Sequence, residues 1–171
     1  MSNTEKRKNV PSKANVYMAM AKLISKRSKD PNTQVGAIIV SKDDRILSVG
    51  YNGFPNGCSD DEFPWARSAK REYDTKYPYV VHAELNAILN FRGDNKAFEG
   101  STLYVTLFPC HECAKAIIQS GITRLVYLDN KYQDTEDFKE SLRMLIAASI
   151  MIDPFTNLEN EIVDIGDSKP L

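Results

Sequence analysis

Residues 102–128 read TLYVTLFPCHECAKAIIQSGITRLVYL. The apolar, β-branched run from Thr102 to Leu107 predicts a strand. Cys110 to Ser120 has helical composition and is closed by Gly121, and Arg124 to Leu128 reads as a second strand. Upstream, Glu84 to Phe91 predicts a helix that starts near His82. Val35 to Val40 and Ile46 to Tyr51 predict a hairpin turned by Ser41-Lys42-Asp43-Asp44-Arg45. Ser12 is placed to cap a helix running to about Arg27, with Val16, Met20, Leu23 and Ile24 on one face. Downstream, Glu136 to Ser149 predicts a helix striped by Phe138, Leu142, Leu145 and Ile146, and Ile150 to Ile152 a last short strand. This alternation implies helices packed on a mixed or parallel sheet. The long polar loop from Asn56 to Pro78 holds the one tryptophan, Trp65. A loop of that length in a compact domain is generally functional or a lid.

The 171 residues suggest one folded domain, over 12–152, between a polar segment 1–11 and an acidic tail 153–171 expected to be partly disordered near its end. A content of 42 % hydrophobic and 26 % charged residues is that of an ordinary globular protein. The formal charge of −1 gives no global attraction to a polyanion, so nucleic acid is not an expected partner. No apolar run approaches the roughly 20 residues of a membrane span, and the first eleven residues do not read as a signal peptide. A cytoplasmic location is expected. Three cysteines form no disulfide framework.

Two histidines and three cysteines are the soft ligands of the chain, and four of these five fall in His82-Ala83-Glu84 and Pro109-Cys110-His111-Glu112-Cys113. One imidazole and two thiolates leave the fourth tetrahedral position of a zinc ion open, as catalytic zinc requires. Cys110 and Cys113 share a face if Cys110 begins a helix, and a helix N-terminus favours thiolate over thiol. Glu84 is not needed as a ligand and is free to move protons. Alone, Cys-x-x-Cys reads as a structural zinc knuckle or redox pair, and His-Ala-Glu carries almost no signal. Their conjunction decides for a catalytic zinc held by His82, Cys110 and Cys113. His111 should point away from the sulfurs, and Cys58 reads as a loop residue.

His-x-Glu followed by Pro-Cys-x-x-Cys resembles the signature of the zinc-dependent nucleobase deaminases, in which the carboxylate is general acid and base. Further segments, spanning about residues 12–132, resemble the deoxycytidylate deaminase branch. They are Ser28-Lys29-Asp30-Pro31, Thr33-Gln34-Val35-Gly36-Ala37-Ile38-Ile39-Val40, Gly50-Tyr51-Asn52-Gly53, Gly57-Cys58-Ser59-Asp60-Asp61, Pro64-Trp65, Lys76-Tyr77-Pro78-Tyr79-Val80 and Thr106-Leu107-Phe108-Pro109-Cys110. The resemblance implies a three-layer α/β/α fold around a five-stranded mixed sheet. It implies hydrolysis of dCMP to dUMP and ammonia, in the supply of thymidylate. It also implies activation by dCTP with Mg²⁺ and inhibition by dTTP in a homohexamer, with the effector near Gly50, Tyr51, Asn52 and Gly53. A second zinc site of some phage members is not carried over, because this loop has one cysteine and no histidine.

Substrate contacts are less sharply marked. Asn52 is a candidate for the deoxyribose 3′-hydroxyl or the base, with an Asn-Gly turn residue as the plain alternative. Ala83, Phe108 and Pro109 are candidates to line the base pocket, and Lys131, Tyr132 and Arg92 to meet the phosphate. The basic residues of the first helix region read as a solvated face, with Lys26, Ser28 and Lys29 as candidate readers of the effector triphosphate. Rival readings are a deaminase of dCTP, free cytidine or adenosine in tRNA, and a non-catalytic zinc module in which Glu84 is structural.

Overall fold

In the computed structural model, residues 5, 6, 8 and 10–156 are described. The hairpin expected around Asp43 forms β1 (Gly36–Val40) and β2 (Ile46–Tyr51), paired antiparallel, with Asp44 at φ 66° in its turn. Short polar side chains tolerate that left-handed conformation better than most. β1 also pairs antiparallel with β3 (Thr102–Leu107), and β3, β4 (Arg124–Asp129) and β5 (Met151–Pro154) run parallel. Helical crossovers join the parallel strands, as parallel pairing demands. The sheet order is β2-β1-β3-β4-β5, a mixed sheet with β1 and β3 at its heart.

Side chains alternate across the strands, and the two faces bury against different helices. Ile38, Val40, Tyr104 and Val126 pack with Met18 and Ala21 of α1 (Lys13–Ser25). Ala37, Ile39, Leu103, Val105 and Leu125 pack with α2 (Ala83–Asn90), α3 (His111–Ser120) and α4 (Glu136–Ala147). The fold is therefore a three-layer α/β/α sandwich, as expected. Among the described residues, no helix is long and apolar enough to cross a membrane.

The buried face of α1 differs from the expected stripe. Met18, Ala19, Ala21 and Ser25 are buried, whereas Leu23 is 39 % exposed and Val16, Met20 and Ile24 are half-buried. The reason is close approach: a Cβ on Gly36 would lie 2.0 Å from the Ala21 carbonyl oxygen. Only a face of small residues seats the helix that near to β1. On α4, Leu145 is buried but Ile146 is 62 % exposed, so the stripe is one residue narrower than read.

The cap expectations meet their residues. The Ser12 hydroxyl accepts from the Asn15 N–H at 3.1 Å, and Gly121 closes α3 at φ 88°. α1 ends at Ser25 and α4 at Ala147, each two residues early. β5 reaches Pro154, so Asp153, assigned to the tail, instead pairs with Arg124 at 2.7 Å across the sheet edge. The remainder of the expected tail, from residue 157, lies outside the described residues, as do residues 1–4.

The long loop is anchored. Gly53 and Val81 bridge its ends, Phe54 stacks on Trp65 at 4.1 Å, and the Trp65 indole N–H donates to the Asp60 carbonyl at 3.1 Å. A 3₁₀ turn at Glu72–Asp74 precedes Lys76, whose ammonium pairs with Asp30 in a contact with almost no solvent access.

Candidate active site

The two ligand segments meet because both occupy helix starts on the same side of the sheet. His82 is the N-cap of α2, and Cys110 is the N-cap of α3, with its sulfur accepting from the Cys113 N–H at 3.5 Å. The His82 Nδ1 lies 3.3 Å from the Cys110 Sγ and 3.5 Å from the Cys113 Sγ. Tetrahedral zinc with ordinary Zn–N and Zn–S bonds sets such neighbours about 3.5 Å apart. Donor chemistry and separations therefore fit a zinc ion, and all three donor atoms lie within 4.8 Å of one another.

Without a metal, protons are shared within this trio. The hydrogen bond with Cys113, and then the one with His82, pull the Cys110 thiol down to about 4. The hydrogen bond to Cys110 pushes the His82 imidazole up to about 9. The same pairing with Cys110, reinforced by burial, drives the Cys113 thiol well above its ordinary range. Shared among protons alone, the trio is an imidazolium with one thiolate. Zinc ligation needs both thiolates and a neutral imidazole, so it releases protons.

Glu84 follows one residue into α2 and is 4 % exposed. Burial raises its carboxyl above the ordinary carboxylate range, which suits a group that must hold a proton part of the time. Position in α2 is fixed by close packing. A Cβ on Gly50 would lie 2.3 Å from both the Ala83 carbonyl oxygen and the Ala87 nitrogen, and the Ser48 hydroxyl donates to the Ala87 carbonyl at 2.6 Å.

His82, Glu84 and Cys110 line a cavity of about 470 Å³. The candidates Asn52, Ala83, Phe108, Pro109 and Tyr132 line it as well. Phe108 is braced by Phe138 at 4.4 Å and edge-on by Tyr127 at 5.0 Å. Asn52 is committed to backbone: its Oδ1 accepts from the Val35 N–H at 2.8 Å, and its Nδ2 donates to the Thr33 carbonyl at 2.9 Å. Burial pushes the Tyr132 phenol up, but hydrogen bonding with Thr33 and the charges of Lys131 and Arg67 bring it net below its ordinary value.

Other candidates stand apart from the cavity. Arg92 follows the far end of α2, where it donates to the Leu89 carbonyl at 3.4 Å. Lys131 reaches the Thr33 hydroxyl at 3.4 Å and is not among the lining residues. Arg67 and Lys76 are lining cations that the sequence did not mark, both supplied by the long loop. Their one signal was place in the Trp65 loop, with Lys76 next to Tyr77. None of Lys26, Ser28, Lys29, Gly50, Tyr51 and Gly53 lines the cavity. Lys29 instead pairs with Asp60 at 2.6 Å, tying the end of α1 to the long loop. His111 turns to Asp137 and away from the sulfurs.

Comparison with known proteins agrees with this geometry. Residues 11–129 match the family described as "Cytidine and deoxycytidylate deaminase zinc-binding region". The chain is 48 % identical over 152 residues to the deoxycytidylate deaminase of Pongo abelii, covering 89 % of this chain and 84 % of that one. It is 53 % identical over 139 residues to the probable deoxycytidylate deaminase of Drosophila melanogaster, covering 78 % and 68 %. The crystal structure of dCMP deaminase from the cyanophage S-TIM5 in complex with dCMP and dUMP matches with a TM-score of 0.67 and 28 % identity, over 85 % of this chain and 98 % of that one.

Proposed function

Since the chain belongs to the cytidine and deoxycytidylate deaminase family, a family of hydrolytic enzymes, we propose that it converts dCMP and water to dUMP and ammonia. The observation that carries this reading is a buried carboxyl, Glu84, beside a His/Cys/Cys set, with Glu84, His82 and Cys110 in the wall of one cavity. The names of the relatives and the dCMP and dUMP bound in the cyanophage enzyme support the substrate.

His82, Cys110 and Cys113 hold the zinc ion, which when bound supplies Lewis acidity that makes water a nucleophile near neutral pH. Glu84 accepts the proton of the attacking water and delivers it to N3 of cytosine as oxygen bonds to C4. Glu84 then takes the proton of the new C4 hydroxyl and passes it to the 4-amino group, the C4–N bond breaks as C4 becomes a carbonyl, and ammonia leaves. The raised affinity of Glu84 for protons keeps both directions of transfer accessible. Phe108 and Ala83 bound the base. At the rim Arg67 takes the 5′-phosphate with Tyr132, since Lys76 is already spent on Asp30. A guanidinium suits a phosphate because it donates in a planar fork.

The effector reading belongs to the same proposal: dCTP with Mg²⁺ activates and dTTP inhibits, through Lys26, Ser28, Lys29 and the Gly50-Tyr51-Asn52-Gly53 segment in a homohexamer. The Lys29–Asp60 pair supports it, because Asp60 also holds Trp65 in the loop that carries Arg67. A reducing cytoplasm suits two thiolate ligands.

The test follows ultraviolet loss of dCMP, CMP and dCTP in parallel on zinc-loaded protein, with and without dCTP and Mg²⁺. Rapid dCMP turnover that rises with dCTP is expected. Absence of turnover on dCMP would refute the substrate assignment, and consumption of dCTP itself would replace it with a dual-substrate enzyme.

A further inference from the structure

Apart from the His82, Cys110 and Cys113 set, one other group of metal-ligating side chains converges among the described residues: His111, Asp137 and Glu140, with donor atoms within 4.8 Å of one another. His111 opens α3, and Asp137 and Glu140 stand three apart on α4, hence on one face. The His111 Nδ1 meets the Asp137 carboxylate and lies 3.7 Å from the Glu140 Oε2. The backbone N–H of His111 also donates to Asp137, at 3.2 Å. Beside Glu140, the buried Ser141 hydroxyl donates to the Pro109 carbonyl at 2.8 Å, locking the middle of α4 to the turn before α3. Both helices thus present their donors from a fixed frame.

Nearby lysines are occupied elsewhere. Lys115 pairs with Glu112 and Lys139 with Glu136, each at 2.6 Å. Three carboxylates face one imidazole, Asp137 and Glu140 at its Nδ1 and Glu112 at its Nε2 at 3.1 Å, a donor set of negative charge with exposed or half-exposed side chains that an ion reaches from solvent.

We propose that His111, Asp137 and Glu140 form a second divalent-cation site at the cavity rim, of the kind that takes zinc and its first-row neighbours. Imidazole with carboxylates favours such ions over Mg²⁺ and Ca²⁺, which prefer oxygen alone. Lacking thiolate and keeping water on the ion, it is the weaker of the two sites. Because His111 and Asp137 line the same cavity, an ion there forms part of the wall past which substrate moves.

A cobalt titration of the full chain, read by absorbance and by metal analysis after equilibrium dialysis, tests this. The first equivalent should bring the thiolate-to-cobalt charge-transfer band of the Cys110 and Cys113 site. A second should bind more weakly and add no thiolate band. Outer-shell changes alone cost metal sites about 10- to 100-fold in affinity. Loss of a direct ligand in Glu140→Gln should therefore weaken the second equivalent by about tenfold or more and leave the first unchanged. Glu140 is 61 % exposed, so the variant retains the fold. Saturation at one cobalt per chain, a second equivalent with its own thiolate band, or one undiminished in both Glu140→Gln and His111→Asn would overturn the site. The first band reports separately on the Cys110 and Cys113 site, so failure of one reading is distinguishable from failure of the other.

Discussion

The floor and the rim of the cavity are built by different means. The floor hangs on two helix starts, each supplying two groups two or three residues apart, His82 with Glu84 and Cys110 with Cys113, and the fold joins the two starts across 28 positions. The rim depends on a long loop whose Lys76 meets Asp30 across 46 positions of sequence. Both are assembled by folding, but the floor residues are announced by short segments of sequence, whereas nothing local announces the rim. Damage to the floor should strike turnover, and damage to the rim should strike affinity or stability.

The sharpest way to break that contrast is Cys113→Ser, expected to lose zinc by metal analysis and turnover to background. Glu84→Gln comes next: zinc content should stay at one per Cys/His site while kcat falls about 10²- to 10⁴-fold, the usual share of general acid–base catalysis. A variant keeping more than about a hundredth of the turnover would remove Glu84 from the proton path. On the rim side, Asp30→Asn or Lys76→Met leaves one buried charge alone. Such a loss costs about 3–5 kcal/mol, readable as a lowered urea midpoint, with the double substitution costing less than the sum. Arg67→Ala should raise KM for dCMP about 10- to 100-fold, the value of a charge-assisted hydrogen bond, and leave deoxycytidine kinetics unmoved. An equal loss on both substrates would place Arg67 in the scaffold. Smallest in basal effect is Lys29→Glu, expected to abolish activation by dCTP without altering zinc content; normal activation would remove Lys29 from the effector site.

What the sequence revealed follows the same division. Ser12, Cys110 and Gly121 announce helix ends because caps need particular side chains or backbone angles within a few residues. Strand runs are legible because β1 and the middle of β3, Leu103 to Val105, are buried on both faces and carry consecutive apolar residues. The seated face of α1 was not legible. Periodicity weights large residues such as Leu23, whereas contact there is decided by how closely Gly36 lets the helix approach. Arg67 was hidden for another reason: nothing local distinguishes a loop arginine that turns into a cavity from one that faces water. Asn52 shows a third case, because its amide joins the end of β2 to the chain before β1 while also bordering the cavity.

Gly50 has a consequence for anyone selecting variants by loss of regulation. It belongs to the segment proposed to read the effector, yet the space a side chain would need there is filled by the backbone of the helix that carries Glu84. Effector-blind clones with substitutions at Gly50 would therefore arise from a displaced catalytic helix, and scoring them by regulation alone would assign a mechanical failure to a signalling role.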